Sequence, residues 1–261
     1  MIIKTHHFFI VELRSFPILI SINSFNLLSS LLNFFKETSY LNFTFSLINC
    51  SFCMFFWWIC YTKEASIEGK SSIYLDEGLK ISIILFISSE IFFFFSFFWS
   101  YFHYFLAPIF EVGMIWPLEG LKIFEYNEVP LLNTLILLRS GMILTCSHYF
   151  LITNFKWACS FSLILTSFLG LIFSLLQSAE YSSSFFRIND GSFGTVFFLL
   201  TGFHGLHVII GTMFLLTTWF KINLSQLNYI EDIIFELSSW YWHFVDVVWL
   251  FLFFFLYYGN N

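Results

Sequence analysis

The sequence predicts an all-α transmembrane protein, a seven-helix bundle. Of the 261 residues, 58% are hydrophobic and only 11% are charged, and the mean hydropathy is +0.80. This composition fits neither a soluble domain nor a disordered chain. The apolar residues also form continuous stretches of about 20, the length at which a helix crosses a bilayer. A β-barrel would instead alternate polar and apolar residues over strands of about ten.

Seven stretches have the length and apolar character of a membrane span. The first is the weakest, because its three asparagines and four serines suit a helix packed on protein better than one surrounded by lipid. The four prolines lie in the first turn of a span or outside the spans, where the missing amide hydrogen is tolerated. The predicted spans, taken as a single integral membrane domain over 1–261, are 16–35, 41–61, 79–106, 131–153, 157–178, 193–222 and 233–258.

The distribution of Lys and Arg predicts the orientation of the chain. With seven spans, seven of the eleven basic residues fall on the N-terminal side and three on the opposite side, and Arg139 lies inside a span. Because basic loops remain on the cytoplasmic side, the N-terminus is expected in the cytoplasm, or in the matrix of a mitochondrion. The net charge of -6 argues against strong nucleic-acid binding.

Three ionisable side chains, Glu90, Arg139 and Asp246, lie deep in the predicted spans. Each is unfavourable there by about 3 kcal/mol on insertion scales, so each needs a partner or a role. Two interpretations of Glu90 stay open: a protonated carboxyl bonded to a neighbouring helix, or a group that handles protons or contacts lipid. Asp246 shares a helical stripe with Trp242 and Trp249 and is interpreted mainly as a contact between helices.

The third span presents two polar faces. Trp99 and His103 are four residues apart and share a stripe near the membrane surface, where amphipathic rings meet lipid headgroups. Glu90 is nine residues before Trp99, which places it about 180° around the helix.

Four histidines in later spans are interpreted as core residues without a metal. His204 and His207 are three residues apart and share a stripe with Gly211, which allows another helix to approach closely. A metal or haem site would need further ligands, such as His243, and nothing in the spacing fixes that geometry. The fourth core histidine is His148.

Four sequence blocks carry the pattern of a known family. The chain resembles subunit III of the haem-copper cytochrome c oxidases over about residues 56–258, with weaker agreement at Gln177-x-x-Glu180-Tyr181. The blocks are SExxFFxxFFWxxxH at 89–103 with the following LAP at 106–108, VPLLNT at 129–134, TGFHGLHVIIG at 201–211 and WYWHFVDVVWLF at 240–251.

The resemblance implies a non-catalytic core subunit of a complex that oxidises cytochrome c, reduces oxygen to water and pumps protons. It implies that this chain has no redox centre, that haem and copper belong to catalytic subunit I and to subunit II, and that accessory subunits and phospholipids are further partners. A lipid-filled cleft is expected between the first two helices and the other five. By position, Glu90 matches the intramembrane carboxylate of the family, and the residues matching its lipid contacts are Trp58, Glu64, Trp99 and His103.

Several alternatives and departures stay open at the level of sequence. The same motifs would serve a quinol oxidase. A seven-helix ion transporter would use Glu90, Arg139 and Asp246 as a relay, and a haem protein would use the histidines of the sixth and seventh spans. Arg139 stands where the family usually has a small residue. The 41 phenylalanines suggest an AT-rich organellar gene, and hence a mitochondrial inner membrane, because lipid-facing positions demand apolarity rather than identity.

Overall fold

The computed structural model describes residues 13–37, 40–66, 73–108, 114–117, 120–224 and 233–260. The chain divides into two compact units, Met1–Leu79 and Lys80–Asn261. Each unit is described by itself below. Glu64 belongs to the second helix by its backbone, and its side chain lies outside the described residues.

The described part of the chain is helical throughout its regular structure, and the seven predicted spans are confirmed as seven helices long and apolar enough to cross a membrane. A π-helical turn at Phe253–Tyr257 and a 3-10 turn at Tyr258–Asn260 continue the last helix. The seven helices are α1 Phe16–Glu37, α2 Tyr40–Ser66, α3 Ile73–Leu106, α4 Val129–Ile152, α5 Lys156–Ser183, α6 Gly191–Asn223 and α7 Ile233–Leu252.

Three helix ends differ from the predicted spans by five residues or more, when the π-helical and 3-10 turns are counted with the last helix. α2 continues to Ser66 rather than ending at 61. α3 begins at Ile73 rather than 79, because the charged residues before the span continue the helix without being apolar. α5 continues to Ser183 rather than ending at 178. Hydropathy falls after Gln177, yet the helix goes on because Glu180 and Tyr181 are buried or half-buried against other helices.

In the first unit, α1 and α2 form a hairpin whose contact is a polar seam. The hydroxyl oxygens of Ser30 and Ser46 are 2.6 Å apart. The Asn49 amide donates to Asn23 Oδ1 at 2.9 Å, and the Asn23 amide donates to Cys53 Sγ at 3.0 Å. The asparagines that weakened the first predicted span therefore bind the second helix. The rest of α1 is largely exposed.

In the second unit, α4 to α7 surround an aromatic core that contains fully buried Trp242 and Trp249. Two glycines let α5 and α6 approach α7. A Cβ on Gly170 would lie 2.6 Å from Trp242 Cη2, and one on Gly211 would lie 2.9 Å from Trp242 Cε3. The close approach expected at Gly211 is thus filled by the indole of Trp242. The α3 helix joins this core through rings such as Phe94 against Phe244.

Candidate functional site

The centre of the second unit contains a paired carboxyl and imidazole. Glu90 lies halfway along α3 and His207 halfway along α6. His207 Nε2 is 2.8 Å from Glu90 Oε2, and His207 Nδ1 is 2.7 Å from the carbonyl oxygen of Phe203. The side chains of Glu90 and His207 are 20% and 9% exposed. The pair therefore stands at mid-depth of the two spans, with its carboxyl the more accessible member.

The contact with Phe203 determines how many protons the pair holds. A carbonyl oxygen only accepts hydrogen bonds, so His207 Nδ1 must carry a hydrogen. Nε2 then either accepts a hydrogen bond from the neutral acid of Glu90 or, in an imidazolium, donates one to the carboxylate. Both arrangements leave the pair with one shared proton and no net charge. A neutral pair is far less unfavourable at this depth than a lone carboxylate.

Aromatic rings enclose the pair on the side of the bundle. The centroid of the His207 ring is 5.1 Å from that of Phe94 and 6.4 Å from that of Tyr241. Phe93 packs edge to face on Phe203, one turn before His207. Among the described residues, the hydrogen-bond partners of the imidazole are Glu90 and the carbonyl of Phe203, so the shared proton lies between His207 and Glu90.

The other three predicted core histidines contact different side chains from those around this pair. His204 is 1% exposed and packs between the rings of Phe173 and Trp249, at centroid distances of 5.5 and 5.1 Å. His148 stacks on Phe235 at 5.4 Å. His243 is half-buried where α7 faces Gly141 of α4.

The contacts of the histidines show whether these side chains could bind a metal ion or a haem. Both ring nitrogens of His207 are engaged, one by a carbonyl and one by a carboxyl. Within the described ranges, no three His, Cys, Asp or Glu side chains are close enough together to hold a metal ion. His204, His207 and His243 therefore have separate packing environments.

Trp99 and His103 lie on one stripe of α3, as their spacing predicts, and their rings stack on each other. Their ring centroids are 5.2 Å apart and the ring planes differ by 13°. Trp99 is 62% exposed, and His103 is exposed as well. In the first unit, Trp58 of α2 is also 62% exposed. Flat, exposed rings with one polar edge suit the boundary between acyl chains and headgroups.

Arg139 and Asp246 occupy opposite environments. Asp246 is 7% exposed and packs on the α4 backbone, since a Cβ on Gly141 would lie 2.7 Å from Asp246 Oδ2. Its Oδ1 atom has no hydrogen-bond partner in the described part of the chain. Arg139 is exposed. The side chains of Arg139 and Asp246 therefore lie on different sides of α4 and do not share a pocket.

A buried polar cluster near the end of α5 was not predicted. Gln177 accepts from the Asn133 amide and donates to the Tyr257 hydroxyl, both at 3.5 Å. The same hydroxyl lies beside the carboxyl of Glu180, which is 3% exposed. Glu180 was overlooked because the predicted span ended at 178. The weak motif at Gln177 and Glu180 was the one sequence signal for it.

Comparisons with known proteins identify the family. The family model described as Cytochrome c oxidase subunit III matches residues 6–261. Cytochrome c oxidase subunit 3 of Rhipicephalus sanguineus is 42% identical over 97% of this chain and 98% of its own length. The proteins of the same name from Aedes aegypti and Triticum aestivum are 46% and 44% identical. The first covers 80% of this chain and 79% of its own length, and the second covers 82% and 81%. The chain therefore belongs to the cytochrome c oxidase subunit III family and is part of an oxidase complex with other subunits.

Proposed function

We propose that this chain is a non-redox core subunit that stabilises the catalytic subunit, binds phospholipid and supplies protons through Glu90 and His207. Haem and copper then belong to subunits I and II, and cytochrome c delivers electrons to the complex. The observation that carries the proton role is the pair itself. It lies halfway along both α3 and α6, its geometry calls for one shared proton, and its carboxyl is partly exposed.

The pair suits transient storage of a proton. When Glu90 releases the shared proton, His207 keeps its Nδ1 hydrogen on the Phe203 carbonyl and the pair becomes an anion. An anion at this depth is unfavourable, so the next proton is taken up readily. In that anion, Nε2 and the carboxylate are both acceptors and no longer share a hydrogen bond, while the bond from Nδ1 to the Phe203 carbonyl keeps the imidazole in place for the next proton.

Replacing Glu90 by glutamine tests the proton role. In E90Q the amide still donates a hydrogen bond to His207 Nε2, so we expect the complex to assemble normally. The amide carries no exchangeable acidic proton, so proton uptake per electron during oxygen reduction should fall. The measurement is the proton-to-electron ratio of the purified complex in sealed vesicles. E77Q, at an exposed position near the start of α3, is the matched control.

Two results would count against this role. An unchanged proton-to-electron ratio in E90Q would show that the pair serves packing alone. Failure of the E90Q complex to assemble, with E77Q assembling normally, would show that the pair is a structural ion pair.

For phospholipid, the proposed contacts are Trp58 and Glu64 on α2 and Trp99 and His103 on α3. The stacked rings of Trp99 and His103 carry this proposal. Replacing both with leucine should lower the phospholipid phosphorus that copurifies with the complex. The control is a similar stack on α5, Trp157 on Phe161 at 5.8 Å, which lacks a charged or titratable ring. Equal phospholipid losses after leucine replacement of either stack would contradict a specific site.

The proposed setting is the mitochondrial inner membrane, with the N-terminus in the matrix and the C-terminus in the intermembrane space. The proposed orientation rests on the seven-to-three distribution of basic residues around seven helices. The chain would act there as one integral membrane domain, with the lipid-filled cleft that the family resemblance implies. A C-terminal tag cleaved by protease in mitoplasts, but not in inside-out vesicles, would agree with this orientation, and the reverse pattern would refute it.

A further inference from the structure

Arg139 points away from the helix bundle. Ser140 and Gly141, the next two residues, face α7: Ser140 accepts from the Trp242 indole at 2.9 Å, and Gly141 lies against Asp246. At about 100° per residue, their mean direction is about 150° from that of Arg139. The buried positions of α4, which include Leu137 and Leu144, share the face of Ser140.

The depth of Arg139 keeps it from water and from lipid headgroups. It lies ten residues after Val129 and thirteen before Ile152, the two ends of α4. At 1.5 Å per residue, these ends are about 15 and 20 Å away along the helix. Three methylene groups and a guanidinium do not cover either distance, so snorkelling does not bring the charge to the interface.

Within the described residues, Arg139 has no hydrogen bond or ion pair, and it is the only exposed charged residue in the middle of a span. The exposed face of the neighbouring helix α5 is apolar at this depth, for example at Phe168 and Leu171. A guanidinium left in hydrocarbon without a partner is strongly unfavourable. The face of α4 around Arg139 is therefore not an ordinary lipid-facing surface.

We propose that the outer face of α4, formed by Leu135, Leu138, Arg139 and Met142, docks a transmembrane helix of another subunit of the oxidase, and that this helix places an Asp or Glu opposite Arg139. A carboxylate matches the planar fork of donors on the guanidinium and neutralises its charge. Lipid phosphate is the other anion in a membrane, but phosphates lie at the surface, beyond the reach of this side chain. Asp246 does not serve, because it packs on the opposite face of α4.

Photocrosslinking in the assembled complex tests the docking without disturbing Arg139. A photoreactive residue is placed at Met142, which is 62% exposed and nearly one turn from Arg139, or at Phe168 of α5, which is 57% exposed. We expect the probe at 142 to crosslink a membrane-spanning peptide that contains Asp or Glu, and the probe at 168 to label lipid. Labelling of lipid alone at 142, or a crosslinked span without an acidic residue, would overturn the proposal.

Charge variants test the ion pair itself. R139L leaves the partner carboxylate unpaired, so the yield of complex containing this chain should fall at least about tenfold, as for other desolvated pairs that lose one member. R139K keeps the charge and should lose less. Changing the crosslinked acid to its amide should restore assembly in the R139L background. Full assembly of R139L, or no rescue by the amide, would refute the pairing. Loss of copurified anionic phospholipid in R139L, without loss of another subunit, would identify a lipid as the partner instead.

Discussion

The α1–α2 hairpin and the α4–α7 bundle are held together by different kinds of contact between helices. In the most apolar 18-residue segments of α1 and α2, only 11% and 6% of the residues are buried, against 39–50% for α4 to α7. The hairpin contact is a row of amide and hydroxyl groups, whereas the bundle contact includes a set of closely packed rings around Trp249. The first unit is thus held by a few directional bonds, and the second by extensive close packing.

The difference follows from the membrane as a solvent. Lipid chains are as apolar as leucine, so burial of apolar side chains does not by itself drive helices together. Close contact and hydrogen bonds remain as the stabilising terms. The bundle obtains close contact through Gly170 and Gly211, which admit the indole of Trp242. The hairpin has no such glycines along α1 and α2 and relies on Asn23, Ser30 and their partners.

The largest effect is expected from filling the space beside Trp242. In G170A, the new methyl group would meet Thr212 Cγ2 and Trp242 Cη2 at 2.5 and 2.6 Å, so the rings of α7 must move. Overpacking of this kind destabilises by about 2–3 kcal/mol. The measurement is the detergent concentration at which the chain leaves the complex. The control is G202A on α6, where a Cβ meets nothing within 4 Å. Equal shifts in the two variants would show that the bundle is not closely packed.

A smaller effect is expected from the buried hydrogen bond of the same indole. In S140A, the N–H of the fully buried Trp242 loses its acceptor. An unsatisfied buried donor destabilises by about 1–2 kcal/mol. The control is T145A on the exposed side of α4, whose hydroxyl bonds only a carbonyl of its own helix. An unchanged dissociation midpoint in S140A would mean that packing alone positions the indole.

The sequence predicted the helices far better than their contacts. Hydropathy and charge located seven spans, since these depend on the solvent around each helix. Helical angles also predicted that Trp99 and His103 share one stripe. The same angles place Glu90 on the opposite face of α3 but do not say which helix meets it. His207 lies 117 residues later in the chain, so only the packing of α3 on α6 could bring the two together.

Polar residues near helix ends were the second feature that the sequence did not predict. The predicted fifth span stopped at 178, where apolar character ends, and so excluded Glu180. In the fold, the hydroxyl of Tyr257, which accepts a hydrogen bond from Gln177, lies beside this carboxyl, and the helix continues. Whether a polar residue ends a span or is buried depends on partners from distant segments. Hydropathy averaged along one helix contains no information about such partners.

The smallest effect is expected in the hairpin, and it tests whether polar bonds hold α1 on α2. N23A removes the acceptor of the Asn49 amide and the donor to Cys53. Hydrogen bonds between membrane helices contribute about 0.6 kcal/mol each, so the loss should be about 1 kcal/mol. With S24A, on an exposed face of α1, as the control, the measurement is the rate of crosslinking between cysteines placed at Ser30 and Ser46. If the hairpin opens more often in N23A, the two thiols spend less time in contact and the crosslinking rate falls. An unchanged rate would mean that apolar contacts beside the seam hold the hairpin, and the contrast between the two units would then be one of degree.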